Sequence, residues 1–191
     1  PTAAIPLLER ELSSGNASAA AYNYLGLSYY QTGQYDKSVA AFERGLRAPG
    51  TDKKVLAYNA GNSAFAAGNY AKADECYSLA LAASPDFVKA LLNRANARLN
   101  QMRLRDALGD YETYIARVPG DPQRAEIDRV IALLRAELAR KEEEARAAAA
   151  LEQAMKAEEA RMRAEQERIA ADKARREAEA KAAEEARKRK L

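Results

Sequence analysis

Histidine is absent from this chain of 191 residues. Its absence removes the commonest general base, the Ser-His-Asp and Cys-His arrangements, and every histidine-ligated metal site. Tryptophan is also absent, and aromatic residues make up only 7%, which describes helix-rich sequence of modest core volume. A single cysteine, Cys76, can close no internal disulfide and build no cysteine-rich zinc site. No apolar run reaches the roughly 18 residues of a membrane span, so no membrane insertion is expected. There is no Gly-rich phosphate loop and no paired metal-ligand spacing. No cofactor, no metal and no catalysis are therefore expected. The net charge of +3 comes from 31 basic and 28 acidic residues, and so small an excess offers no field for nucleic acid. The opening stretch PTAAIPLLERELSSG lacks both an initiator Met and the pattern of a signal peptide, and we expect a processed or truncated fragment.

What the chain does have is repetition. Three segments, residues 19–50, 54–85 and 88–119, align with a period near 34. Leu25-Gly26 returns as Ala60-Gly61 and then as Arg94-Ala95. Tyr29, Ala64 and Arg98 fall in step, as do Ser38, Ala73 and Ala107, and then Phe42, Tyr77 and Tyr111. Pro85 and Pro119 close the second and third units, and Pro49 closes the first one residue early. Each unit reads as two amphipathic helices: Tyr22, Leu25, Gly26 and Tyr29 recur at helical spacing, Gly33 breaks the run, and Tyr35, Val39, Phe42 and Leu46 form a second stripe. Small residues at 26, 61, 95, 73 and 107 let paired helices approach, and a large aromatic fills the space beside them. In this register Asp74 and Glu75 are expected on a solvated face, and Cys76, next to the aromatic Tyr77, is expected to be structural.

These residues resemble the tetratricopeptide repeat family over about residues 17–121. The third unit departs most, with Arg94, Arg98 and Tyr114 in place of the usual Leu or small, aromatic and small residues. The resemblance implies an all-α fold, a right-handed superhelical stack of helical hairpins, followed here by one long extended helix. It implies three units at about 19–52, 54–87 and 88–121, preceded by a capping half-repeat over 1–16 with Ala4, Leu8 and Leu12 on one face. In the family the first helices line a concave groove for extended peptides or partner helices. Carried over, the groove positions are Asn23, Leu27 and Tyr30; Tyr58, Asn59, Asn62 and Phe65; and Lys89, Asn93, Asn96 and Leu99. Asn is a poor helix former, and its amide both donates and accepts, which suits a peptide backbone. The alternative is that these amides bond within the stack. Some chaperone-binding members clamp a C-terminal carboxylate with two Lys, two Asn and an Arg. Here Asn59 and Lys89 match, whereas Asn23, Leu27 and Asn93 replace the other Lys, Asn and Arg, so that ligand is not expected.

Beyond Asp121-Pro122, an N-cap followed by Pro at the first helical position, no Gly or Pro occurs. Ile127, Ile131, Leu134 and Leu138 form a stripe expected to close the stack over 122–140. Residues 141–191 read as a charged helical extension with acid-to-base pairs at i, i+4 such as Glu152–Lys156, Glu159–Arg163, Asp172–Arg176 and Glu185–Arg189. A spacer role is expected. Met155, Met162 and Ile169 recur every seven residues, but the second seam is charged (Glu158, Glu165), so a coiled coil would be weak. The composition resembles the helical segment of Tol-type envelope proteins and suggests a bacterial, periplasmic or other extracytoplasmic location, with a cytoplasmic scaffold as the alternative. The expected function is a non-catalytic scaffold that binds a protein or peptide partner. A homo-oligomer joined through the C-terminal helix, and a regulatory module of an enzyme complex, are the alternatives.

Overall fold

The computed structural model describes residues 1–14 and 18–188. The expected boundary at residues 16 and 17, and Arg189 and Lys190 of the terminal basic cluster, lie outside the described residues. The described residues form eight helices and no strand: α1 (Ala4–Ser13), α2 (Ala19–Gln31), α3 (Tyr35–Arg47), α4 (Lys53–Ala66), α5 (Tyr70–Ala83), α6 (Val88–Asn100), α7 (Leu104–Arg117) and α8 (Arg124–Lys188). The chain divides into two units, residues 1–138 and 139–191.

In the first unit each helix pairs with the next, from α1 through α7. In addition α2 touches α4 and α4 touches α6, whereas no such contact joins α3, α5 and α7 among the described residues. The first helices of the hairpins therefore crowd together on the inner side, and the second helices spread on the outer side, as in a solenoid. Side-chain caps fix several helix starts. Ser18 accepts from the Ala21 N–H, Asp52 from Val55 and Asn69 from Lys72, each satisfying an orphan donor of the first turn.

Two glycines set the spacing within the hairpins. A Cβ on Gly26 would lie 2.5 Å from the Phe42 ring, and one on Gly61 would lie 2.5 Å from the Tyr77 ring, inside any tolerable contact. Ser38, fully buried, donates to the Gly26 carbonyl at 2.7 Å and lies 2.8 Å from the Ser63 hydroxyl of the next hairpin. Gly33 and Gly68 turn the first two hairpins at φ +73° and +77°. The third hairpin makes the same turn with Met102 at φ 58°, where an L side chain is strained.

The third hairpin replaces apolar pairs with ions. At the same register Leu25 faces Ala41, Ala60 faces Cys76, and Arg94 faces Asp110. Arg94 bonds Asp110 through Nε and Nη2, both at 2.8 Å, and reaches Ser78 with Nη1. Arg98 joins Asp110 to Asp74, each at 2.8 Å, and Arg103 also bonds Asp74. This overturns the expectation of a solvated Asp74. It is 8% exposed because Arg98 and Arg103 of the next hairpin come down onto it, while its neighbour Glu75 does stay exposed. Cys76 is buried, and burial pushes its thiol up to about 11, the behaviour of an inert core cysteine. Beyond α7, Ile127, Ile131 and Leu134 of α8 pack into one cluster with Leu91, Leu104, Tyr111 and Tyr114.

In the second unit every described residue is exposed. Glu152–Lys156, Glu159–Arg163 and Glu184–Lys188 pair at i, i+4. Asp172 reaches Arg175 instead of the expected Arg176. Its Glu158, Glu165 and Asp172 thus each hold an Arg three residues on.

Three variants test this packing. Met102→Gly relieves the left-handed strain and is expected to add about 1 kcal/mol, or about 3 °C in melting temperature. Asp110→Ala leaves Arg94 and Arg98 short of their buried partner and is expected to cost about 3 kcal/mol in urea denaturation. The double change Arg94→Leu with Asp110→Ala, which recreates the Leu25/Ala41 pair of the first hairpin, is expected to recover part of that loss, since Arg98 still lacks Asp110.

Candidate functional site

The inner side of the stack is a wall made by α2, α4 and α6, and its amides are ordered by one another and by the core. Asn59 Nδ2 donates to Asn23 Oδ1 at 3.1 Å. One hairpin later, Asn93 Nδ2 donates to Asn62 Oδ1 at 2.9 Å and to the Tyr58 hydroxyl at 3.2 Å. Bonding within the stack is thus a real part of what these asparagines do.

The core supplies the second constraint. Tyr77, seated on Gly61, pushes its hydroxyl through to Asn62 and donates to Oδ1 at 2.9 Å. Tyr111 does the same to Asn96 Oδ1 in the next hairpin. Both pairs are fifteen residues apart, the same repeat geometry used twice. In the first hairpin the corresponding pair is apolar, Phe42 and Leu27, and Leu27 packs against the Phe42 cluster. A hydroxyl in the core goes with an amide on the wall, and a bare ring goes with an aliphatic.

The direction of these bonds decides what the wall offers. With Asn62 Oδ1 and Asn96 Oδ1 both occupied as acceptors, the Nδ2 groups of Asn62 and Asn96 have no partner among the described residues. The wall therefore presents amide donors held in fixed orientation. Beside them Tyr30, Phe65 and Ala66 complete a cavity of about 160 Å³, whose other sides are Asn62, Tyr77, Asn93 and Asn96. Tyr30 stacks near Tyr35 and Phe65 near Tyr70, ring to ring at 5.6 and 5.1 Å, so both rings are braced.

Of the expected groove residues, Tyr30, Asn62, Phe65, Asn93 and Asn96 come together at this cavity, with Tyr58 bonded to its edge. Asn23 lines a separate hollow between α2 and the α3–α4 turn, and Leu27 one toward α1. Asn59 bonds Asn23 away from the cavity. Leu99 packs into the last core cluster, and Lys89 is exposed and does not line the cavity. Sequence reasoning missed Tyr77, because its core role hid the hydroxyl. The signal was present in the pairing of Tyr with Asn fifteen residues earlier in two units, against Phe with Leu in the first. Among the described residues no cluster of three or more potential metal ligands occurs, and no helix is long and apolar enough to cross a membrane.

The tyrosines remain protonated donors well above neutrality. Burial pushes Tyr111 up to about 12, and burial also raises Tyr77. A hydrogen bond to Glu9 takes Tyr29 to about 12, and one to Asp121 takes Tyr114 there. A phenol whose folded value lies above its ordinary 10.0 loses its proton more readily in the unfolded chain. The stability from these contacts is whole below pH 10 and is lost as pH rises toward 12. Denaturant unfolding followed across this range is expected to show that decline, and Tyr111→Phe is expected to flatten it.

Two family models described as tetratricopeptide repeat match this chain, at residues 19–48 and 58–122. RNA polymerase II-associated protein 3 of Xenopus tropicalis is 34% identical over 87 residues, 46% of this chain and 13% of that protein. The mouse protein of the same name is 31% identical over 94 residues, 49% of this chain and 14% of that protein. The chain thus matches only a small part of these relatives. Among solved structures, the first repeat domain of Spaghetti bound to the HSP90 peptide SRMEEVD is similar at TM-score 0.55 and 25% identity, covering 63% of this chain and 93% of that chain. Yeast Tom70 is similar at TM-score 0.59 and 23% identity, covering 66% of this chain and 25% of that chain, a likeness of fold. These findings correct the expectation of a bacterial, periplasmic protein, since the curated relatives are eukaryotic and associated with RNA polymerase II. That expectation rested on the Ala/Lys/Glu texture of α8, which any solvated helix shares and which carries no information about compartment.

Proposed function

The chain is a member of the tetratricopeptide repeat family, and on that premise we propose that it is a non-catalytic adaptor whose α2–α4–α6 wall binds an extended segment of a partner protein. The observation that carries this reading is the pair of oriented donors, Asn62 Nδ2 and Asn96 Nδ2, beside a cavity of about 160 Å³. Extended peptides present carbonyl acceptors at regular spacing, and a cavity of this size holds one apolar side chain. Related repeat domains bind peptides: one solved neighbour holds the HSP90 peptide SRMEEVD, and another, at 22% identity, holds the HSP70 peptide SGPTIEEVD. In this chain the wall is nearly free of cations. Lys89 stands off the cavity, and Asn23, Leu27 and Asn93 occupy the positions where a carboxylate clamp needs Lys, Asn and Arg. The ligand is therefore an internal stretch read through its backbone, not a chain terminus held by charge. The charged part of α8, with its fully exposed residues and i, i+3 and i, i+4 pairs, serves as a spacer. The Glu158, Glu165 and Asp172 seam, each held by its own Arg, works against a coiled coil.

The experiment is selection from a library of internally displayed peptides, followed by calorimetric titration of the winner. Asn62→Ala with Asn96→Ala is expected to weaken binding about tenfold or more at unchanged helicity, the loss of two hydrogen bonds at roughly 1 kcal/mol each. Tyr77→Phe, which removes one of the two bonds that orient the Asn62 amide, is expected to weaken it less. Unchanged affinity in both variants moves the site elsewhere. A selected peptide whose binding is abolished by C-terminal amidation would restore the carboxylate reading.

A further inference from the structure

The inner wall repeats its contacts once per hairpin. Asn62 and Asn96 hold one register position in successive units, and Tyr30 and Phe65 hold another. The amides stand on α4 and α6 and the rings on α2 and α4, and all four side chains line the same cavity. That cavity is bounded by α2, α4, α5 and α6 and owes none of its walls to either end of the chain. Helices in direct contact, as these inner ones are, stand about 8–10 Å apart. A chain lying across them therefore meets a ring or a donor at about that interval. The interval discriminates between backbone conformations. A β-strand turns the same edge to a surface every second residue, at about 6.6–6.8 Å. A polyproline II helix does so every third residue, at about 9.3 Å, and its carbonyls make no internal bonds.

The sign of the hydrogen bonds points the same way. Asn62 and Asn96 offer Nδ2 because their oxygens are taken by Tyr77, Asn93 and Tyr111. Proline carries a carbonyl and no N–H. It supplies the acceptor these amides need and strands no donor of its own against the Tyr30 and Phe65 rings. Ala66 makes the room. It lines the cavity where the equivalent positions of the first and third units carry the longer Gln31 and Asn100, and its short side chain leaves space beside Phe65 for a pyrrolidine ring. We infer that the partner segment taken by this wall is proline-rich and is bound as a polyproline II helix, with prolines three residues apart on Tyr30 and Phe65 and carbonyls three residues apart on Asn62 and Asn96. The inference rests on the reading of the wall as a peptide site and narrows its ligand to one class. Residues between the contacting prolines face solvent and are free to vary, so the pattern recognised is Pro-x-x-Pro.

The test titrates the full chain against two peptides, each labelled at the N-terminus for fluorescence anisotropy and amidated at the C-terminus. One is four Pro-Pro-Ser repeats. The other has Thr for every Pro, which keeps the carbonyls, restores the N–H groups and favours the strand. Saturable binding of the proline peptide is expected, with the threonine peptide at least about tenfold weaker. Asn62→Ala with Asn96→Ala is expected to weaken the proline peptide about tenfold. Ala66→Gln, at an exposed position, is expected to weaken it about fivefold by filling the cavity. Tyr30→Leu, which copies Leu99 of the third unit, is expected to cost about threefold. Circular dichroism checks that each variant is folded. Equal or tighter binding of the threonine peptide, lost in Asn62→Ala with Asn96→Ala, overturns the polyproline inference and leaves the wall as a peptide site. Proline-peptide binding that this double variant and Ala66→Gln leave unchanged overturns both. Absence of saturable proline-peptide binding overturns the inference alone, because the library-selected peptide tests the wall independently.

Discussion

The missing Cβ atoms of Gly26 and Gly61 are the constraint from which the rest of the first unit follows. Each glycine lets an aromatic ring sit directly on the helix backbone, with the place of a Cβ only 2.5 Å from the ring. That contact fixes how closely the two helices of a hairpin approach and where one stands along the other. With both hairpins fixed in the same way, Ser38 can reach Ser63 across the boundary between them, and α2 can meet α4 on the inner side. The spacing also makes the ring long enough for a second task. Tyr77 fills the core and still delivers its hydroxyl to the wall at Asn62. Core packing and site geometry are therefore not separable here, because one side chain performs both.

The third hairpin shows how the same architecture tolerates different chemistry. Ala95 takes the glycine's place, Tyr111 keeps the aromatic's place, and the neighbouring apolar pair becomes Arg94 with Asp110. A guanidinium and a carboxylate are costly to bury unless every donor and acceptor is used. The network meets that condition by spreading over α5, α6 and α7, with Asp74 and Asp110 both shared between arginines. No buried side-chain polar atom among the described residues is left without a partner. What such a network gives is directionality: Arg98 can satisfy Asp74 and Asp110 together only if α6 lies in one register between its neighbours.

Much of this was legible in the sequence. Period, small residues, aromatics and closing prolines sufficed for the hairpins, because helix pairing depends on local spacing that a linear repeat records directly. The apolar stripe of Ile127, Ile131 and Leu134 was legible for the same reason. Asp74 was misread because its partners, Arg98 and Arg103, lie in the next unit, and a reading within one unit sees only a charged residue beside Glu75. The site was half legible. The family resemblance implied asparagines on the inner face, but not which of their atoms were already bonded. It also spread the groove over eleven positions where the structure gathers five of them at one cavity. The compartment was misjudged because the charged helix records only its solvation.

The distribution of charge gives the wall its character. Guanidinium and carboxylate groups are gathered inside the third hairpin, where they neutralise one another, and along α8, where they pair within the helix. The cavity between α4 and α6 is lined by amides, rings and an alanine, with phenols that stay neutral far above physiological pH. A neutral lining exerts little long-range pull, so the binding proposed for this wall is expected to gain little from electrostatic steering and to change little with ionic strength. On the proposed reading, selectivity comes from hydrogen-bond direction and from the fit of one apolar side chain. Direction is what the tyrosines supply. By occupying the Asn62 and Asn96 oxygens from behind, they turn two ambidextrous amides into donors, and a surface that offers only donors discriminates between the carbonyl edge and the N–H edge of an extended chain.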